Sequence, residues 1–276
     1  MTELKHKGWI ELDLTDAQLA MFYSNKLDMS EFKVAPMEYI VLPDDNDPYI
    51  WDGKKVSKVK RQTIRSRHFG TIKPRNLEQV MAIDMLKRDN TPVKIIGGQA
   101  GTGKTFLAIN RALEMIEAGT KDKIVFCRNN IEVKSANPIG YLKGTLEEKY
   151  EPWEAPWCDA LGDKMELDKL KMRGQFESAV INFIRGRSFD NSIIIVDEAQ
   201  NLDTYTVKLL GTRVGKDTEI WFLYDTEQID KKDFAKDCGI VNATNQLYKS
   251  PMVQFVELQK CERSEIASLF ASIKEG

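Results

Sequence analysis

Residues 93–119 read VKIIGGQAGTGKTFLAINRALEMIEAG. A short apolar run gives way to a glycine-rich turn, and the turn to apolar residues at helical spacing closed by Gly119. Within it, GQAGTGKT (98–105) fits G-x-x-x-x-G-K-[ST], the phosphate-binding loop, in the strand–loop–helix context that the pattern requires. Gly98, Gly101 and Gly103 let the backbone turn so that its N–H groups face phosphate oxygens. The helix that follows presents its positive end to the anion. Lys104 is placed to reach the β- and γ-phosphates, and Thr105 to set its hydroxyl on Mg²⁺. The expected nucleotide-binding run is Gly98, Gln99, Ala100, Gly101, Thr102, Gly103, Lys104, Thr105 and Phe106. A ligand-free glycine turn is the plain alternative; strand, spacing and Lys-Thr together argue against it.

A second stretch answers the first. In SIIIVDEAQN (192–201) a run of β-branched residues ends in Asp197 and Glu198. Such carboxylates can simply mark where a buried strand meets water. Beside a P-loop, Asp197 reads instead as the second anchor of Mg²⁺, and Glu198 as the base that orients and deprotonates an attacking water. Two carboxylates are needed because one committed to a metal cannot also accept a proton. A third strand, EIWFLY, ends in DTEQID. There Gln228 is placed to sense the γ-phosphate, or Asp225 merely caps a turn. In PRNLEQ (74–79), Asn76 and Gln79 fit a helix capping box. Gln79 also lies where some helicases keep an adenine-reading amide.

Outward from these motifs, KIVFC, SIIIV, EIWFLY and MVQFVEL are near-continuous apolar strands separated by helical patterns. That alternation predicts an α/β fold with a parallel sheet covered by helices on both faces. The stretch 129–190 interrupts the rhythm as an insertion. Residues 1–70 are expected to form a small N-terminal extension, with a helix opening at TDAQ (Thr15 and Gln18 as capping box) and a β-rich part from 37. Gly70 to Pro74 is the expected hinge into a main domain spanning 71–276.

The 276-residue chain carries a formal net charge of −2, yet Gly53–Leu77 holds nine basic residues and no acidic one. That block points to contact with a polyanion, or to a solvated edge strand. Tyr141, Tyr150, Trp153 and Trp157 lie among glutamates, which favours packing over base stacking. Cys127, Cys158, Cys238 and Cys261 are isolated, with Cys127 and Cys261 expected as buried thiols, and only two histidines occur, which argues against a zinc site or a histidine triad. No apolar run reaches the ~20 residues of a membrane span, and MTELKHKGWIELDL lacks a signal-peptide core. A cytoplasmic protein is expected.

Taken in order, PRNLEQ, GGQAGTGKTFLA, IGYLKGTLEEKYEPW, FIRGRS, IIIVDEAQN, DTEQID and CERSE resemble the PhoH family of P-loop ATPases, similar to one RecA-like motor lobe of superfamily 1 helicases. The match is closest to longer members in which a PIN nuclease precedes the ATPase; residues 1–70 resemble only the connecting piece. The resemblance implies ATP hydrolysis with Mg²⁺ through Lys104, Thr105, Asp197 and Glu198, with Gln228 as γ-phosphate sensor. It also implies a ring-shaped homo-oligomer such as a hexamer, and RNA or another single-stranded nucleic acid as partner. Two positions depart from the family pattern: Tyr224-Asp225 replaces Gly-Asp, and Arg128-Asn129 replaces Arg-Pro. Too few residues follow CERSE for the second lobe that supplies an arginine in helicase motors. An arginine from a neighbouring subunit is therefore expected, Arg263 first, then Arg185 and Arg187.

Two other functions fit the same motifs. A kinase resembling thymidine kinase would use Glu198 as base toward a nucleoside hydroxyl, although four isolated cysteines cannot build that family's zinc lobe. A non-hydrolysing ATP-gated binding protein would hold nucleotide without turnover.

Overall fold

The computed structural model describes residues 4–128, 146–229 and 237–262. Its centre is a six-stranded sheet, parallel throughout, in the order β12-β7-β11-β10-β8-β9. The strands are β7 (Val93–Gly98), β8 (Lys123–Arg128), β9 (Phe176–Val180), β10 (Ser192–Asp197), β11 (Glu219–Tyr224) and β12 (Val253–Leu258). Side chains alternate between the sheet's two faces. Ile96, Phe126, Ile193, Ile195, Trp221 and Leu223 enter one hydrophobic cluster, under α2 (Leu77–Leu86) and α3 (Lys104–Glu117). Ile95, Val125, Ile194, Val196, Phe222 and Tyr224 enter the other, under α7 (Thr204–Gly211) and α8 (Gly239–Leu247). Both faces are dry, which is why these strands read as unbroken apolar runs.

The insertion contributes α4 (Leu146–Leu161) and α5 (Lys164–Met172). Trp157 is fully buried between Phe126 and Phe176, with ring centroids 5.5 and 4.8 Å away. Trp153 packs against the same cluster. The buried Glu154 accepts from Ser178 Oγ at 2.6 Å and from Lys171 Nζ. These aromatics serve packing, as their acidic surroundings indicated. Tyr141, Lys143 and the side chain of Tyr150 lie outside the described residues.

Before β7, α1 (Asp16–Tyr23) starts at the expected capping box: Thr15 accepts from the Gln18 amide, and the Gln18 side chain accepts from the Thr15 amide. β1 (Trp9–Glu11), β2 (Glu38–Val41), β3 (Tyr49–Trp51) and β4 (Val56–Lys58) form a four-stranded sheet. It is tied to the parallel sheet in two places. Tyr39 donates its buried hydroxyl to Asp84 Oδ2 on α2 at 2.8 Å. The Glu257 amide donates to Lys7 O (2.8 Å), while Trp9 Nε1 donates to Glu257 O (3.1 Å), so residues 7–9 run along the exposed side of edge strand β12. An uncovered edge would offer unpaired backbone groups to other chains.

The hinge expected at Gly70–Pro74 is different in form. Gly70–Ile72 is strand β6, paired antiparallel with β5 (Ile64–Ser66). This hairpin lies on α3, where the Arg65 amide donates to Glu114 Oε1 (3.0 Å) and Arg67 pairs with Glu117 (3.1 Å). Periodicity missed it because each strand is three residues long and only Ile64 and Ile72 are buried. Cys127 and Cys238 are buried thiols, whereas Cys261, expected buried, is half-exposed. Among the described residues, no helix is long and apolar enough to cross a membrane.

Candidate functional site

All six strands are parallel, so their carboxyl ends share one edge of the sheet, where ligands bind in folds of this kind. β7 ends at Gly98, and the loop that follows feeds α3 through Gly103, whose φ of +97° suits a residue without Cβ. The Lys104 ammonium turns back on its own loop, donating to Gly98 O and Gln99 O, the latter at 2.9 Å. It lies 4.0 Å from Asp225 Oδ2. Burial lowers its proton affinity, while Asp225, Asp197, Glu198 and Glu257 pull the other way.

The buried strand β10 delivers Asp197, and the chain then turns sharply because Glu198 is left-handed (φ 54°, ψ 40°). A non-glycine residue there costs about 1–3 kcal/mol and persists only where its surroundings hold it. Arg128, the register partner of Asp197, donates to Glu198 Oε1 (3.3 Å), and Gln200 Nε2 donates to Glu198 Oε2 (2.6 Å). Burial, reinforced by the charge of Glu198, pushes the Asp197 carboxyl up to about 6.

Gln200, to which the sequence pattern gives no role, joins the three motifs. Its Nε2 also reaches Gln228 O at 3.0 Å, and its Oε1 accepts from the Asp225 amide at 3.0 Å. Arg128 and Glu257 carried no assigned role either. Glu257 leaves no sequence signal because it stands in a strand pattern; its Oε2 accepts the Tyr224 hydroxyl at 2.7 Å beneath the loop. That contact accounts for the Tyr224 departure: the buried phenol fills the space over Gly97, its register partner.

A cleft of about 410 Å³ opens at this edge. Of the expected residues, Ala100, Gly101, Gly103, Lys104, Thr105 and Phe106 line it from the loop and α3, facing Asp197, Glu198 and Gln228. Gly98, Gln99 and Thr102 belong to the loop without lining the cleft, and Thr102 is buried. Gln79 stands behind the loop instead. Its Oε1 accepts from the Arg75 amide and its Nε2 donates to Thr102 O, both at 3.0 Å. The Gln79 amide itself donates to Asn76 Oδ1 at 2.8 Å, the helix-cap half of the motif.

Arg263 lies outside the described residues. Just before it, Glu262 donates its amide to Gly101 O (3.0 Å) and accepts from Asn76 Nδ2 (2.6 Å), so this segment braces the back of the loop. Arg187 is committed to Glu177 (Nη2–Oε2 2.9 Å) and stacks over Phe189; Arg185 is exposed. Neither lines the cleft.

The donor set suits a hard divalent cation. The Thr105 hydroxyl and the Asp197 carboxylate share the cleft, and among the described residues no group of three or more His, Cys, Asp or Glu is preassembled to hold a metal. Mg²⁺ is ordinarily bound in that way, by one or two protein oxygens with phosphate and water completing its shell.

Protein PhoH2 of Bacillus subtilis is 32% identical over 285 residues, covering 97% of this chain and 64% of that protein. Protein PhoH2 of Mycolicibacterium smegmatis is 30% identical over 274 residues, covering 97% and 62%. The chain thus spans less than two thirds of these relatives. Among solved structures, the Pif1 helicase of Candida albicans overlaps 70% of this chain and 42% of its own, at 14% identity and a TM-score of 0.36, too loose to bear on function. The profile of the PhoH-like protein family covers residues 71–274, from the hairpin strand β6 through every motif that lines the cleft, and the chain belongs to that family.

Proposed function

We propose that the protein is a Mg²⁺-dependent ATPase that works as a homo-oligomer on RNA or another single-stranded nucleic acid. The observation that carries this reading is the single cleft shared by Lys104, Thr105, Asp197, Glu198 and Gln228. In the proposed reaction the loop amides and the α3 N-terminus hold the β- and γ-phosphates. Lys104 exchanges its two loop carbonyls for phosphate oxygens. Thr105 and Asp197 would hold Mg²⁺, which when bound would offset charge developing on the phosphates. Glu198, fixed by Arg128 and Gln200, orients water against the γ-phosphorus and accepts its proton as the bond to the β–γ bridging oxygen breaks and ADP leaves. Gln228 senses that phosphate, and Gln200 relays its loss to Asp225 through their shared contacts.

The nucleic-acid part rests on the basic block, revised by its ion pairs. Lys58 and Arg61 are engaged by Asp45 and Asp47, at 2.9 and 2.7 Å. Lys54, Lys55, Lys60 and Lys73 are exposed and make no ion pair among the described residues. They are the proposed phosphate contacts. Binding to single-stranded RNA should weaken with salt at a slope of about −0.7 per phosphate neutralised, and neutralising these four lysines should flatten it.

The deciding experiment is phosphate release from ATP at several protein concentrations, with and without Mg²⁺ and single-stranded RNA. A rate per subunit that rises with concentration supports sites completed by a neighbour, with Arg263 the first arginine to test; RNA stimulation supports the motor-like reading. Absence of release under all conditions, or release only with added thymidine, would overturn it. Lys104→Ala should lower the rate at least ~100-fold, as expected when a transition-state contact is removed.

A further inference from the structure

We infer that Phe69 and Phe106 form the seat of the nucleotide base, and that this seat accepts adenine and guanine alike. The inference rests on the triphosphate reading of the cleft and adds to it a base-binding residue and a substrate class. Two large aromatics stand exposed here, Phe69 at 50% and Phe106 at 40%. Their rings meet edge to face, with centroids 5.2 Å apart. Phe106 lines the cleft in the first turn of α3, immediately after Lys104 and Thr105. Phe69 comes from the turn of the β5–β6 hairpin.

That hairpin is a fixed support. Ile64 is fully buried, and Arg65 and Arg67 are tied to Glu114 and Glu117 on α3. His68 packs so closely on Gly162 that a Cβ there would lie 2.6 Å from its ring. Phe69 is therefore presented to solvent by anchored neighbours, at the continuing cost of an exposed apolar ring. A planar base laid against the pair removes that cost and gains stacking.

The same structure explains why the base would not be read by its edge. Gln79, the amide expected to recognise adenine, has its oxygen and nitrogen engaged by Arg75 and Thr102 and is not in the cleft wall. The Gln200 amide is likewise engaged, by Glu198, Gln228 and Asp225. Aromatic faces accept every base, because each base has a π-face. The geometry thus assigns the loop to the phosphates and the phenylalanine pair to the base, without distinction between adenine and guanine.

The test is calorimetric titration of the full chain with Mg²⁺ and three ligands: the non-hydrolysable imido analogues of ATP and GTP, and inorganic tripolyphosphate. The two nucleotides should bind within about threefold of each other, and tripolyphosphate about tenfold more weakly, the worth of one stacked base. Phe69→Ala should weaken both nucleotides about tenfold and leave tripolyphosphate unchanged, which also shows that the variant is folded. Phe69→Trp should restore binding. Preference for the ATP analogue beyond about thirtyfold would overturn the inference, since that ratio requires hydrogen bonds to the base edge. An equal loss for tripolyphosphate in Phe69→Ala would overturn it by making Phe69 a scaffold residue. Unchanged nucleotide binding in Phe69→Ala would overturn it as well, because the ring would then carry none of the base affinity. In each of these cases tripolyphosphate binding leaves the triphosphate reading standing; failure of all three ligands to bind wild type removes both.

Discussion

Glu257 is the group whose replacement tests the electrostatics beneath the loop most directly. It stands on β12 opposite Gly97, with the Tyr224 hydroxyl on its Oε2 at 2.7 Å. Burial lifts its carboxyl from the ordinary 4.5 to about 7, against the pull of Tyr224 and Lys104. A carboxyl that holds its proton more tightly when folded favours the folded state at low pH. The advantage is complete below about 4.5 and is lost as pH rises to about 7. At about 1.36 kcal/mol per tenfold change in proton affinity, the loss is roughly 3 kcal/mol. Glu257→Gln keeps an oxygen for Tyr224 and removes the titration. In nucleotide-free urea unfolding, the variant should match wild type at pH ~4 and exceed it by up to ~3 kcal/mol at pH ~8, with an unchanged m-value. Other carboxyls titrate over the same range, the Asp197 carboxyl at about 6 among them, and they cancel in the difference. A difference that stays flat from pH 5 to 8, or that grows toward acid, would refute the assignment of a buried, protonated Glu257.

Substitutions at four positions probe the packing that positions the site. In Gly97→Ala the new Cβ would lie 1.9 Å from Glu257 Oε2 and 2.5 Å from Tyr224 Cζ, so a loss of ~1–3 kcal/mol is expected. Adding Tyr224→Gly should make the double variant at least ~1 kcal/mol better than the sum of the singles, read from a double-mutant unfolding cycle. Among the described residues Trp157 Nε1 has no hydrogen-bond partner, so in thermal or urea unfolding Trp157→Phe should cost under ~1.5 kcal/mol, against ~3–5 kcal/mol for Trp157→Ala. Tyr39→Phe deprives Asp84 of one donor and leaves Arg88 at 2.7 Å; a cost of ~1–2 kcal/mol in urea unfolding is expected.

The motifs were legible because their signals are local. A P-loop is recognised from one strand, one turn and one helix start, and SIIIVDE announces a buried strand that ends in two carboxylates. The packing role of Trp157 was legible too, since glutamates on its helix are poor company for phosphates. Gln200 was visible only as a polar residue after a strand, because its partners Asp225 and Gln228 come from another strand end. Gln79 fitted two readings by spacing, and its contacts with Arg75 and Thr102 show what its amide does in this structure. The basic block looked free because Asp45 and Asp47, which engage Lys58 and Arg61, precede it in sequence and meet it only in the folded sheet.

Sequence alone established β7, β8, β10, β11 and β12, the loop and the carboxylates, since backbone preference and side-chain periodicity act over a few residues. Tertiary structure decided which strand ends face one another: crossovers place β11 and β10 between β7 and β8, and no local pattern encodes that order. It also decided that Glu257 and Tyr224 meet under Gly97, that residues 7–9 cover the edge of β12, and that Phe69 stands against Phe106. Each of these contacts joins residues far apart in the chain, and it is formed when burial of apolar surface brings the strands and helices together.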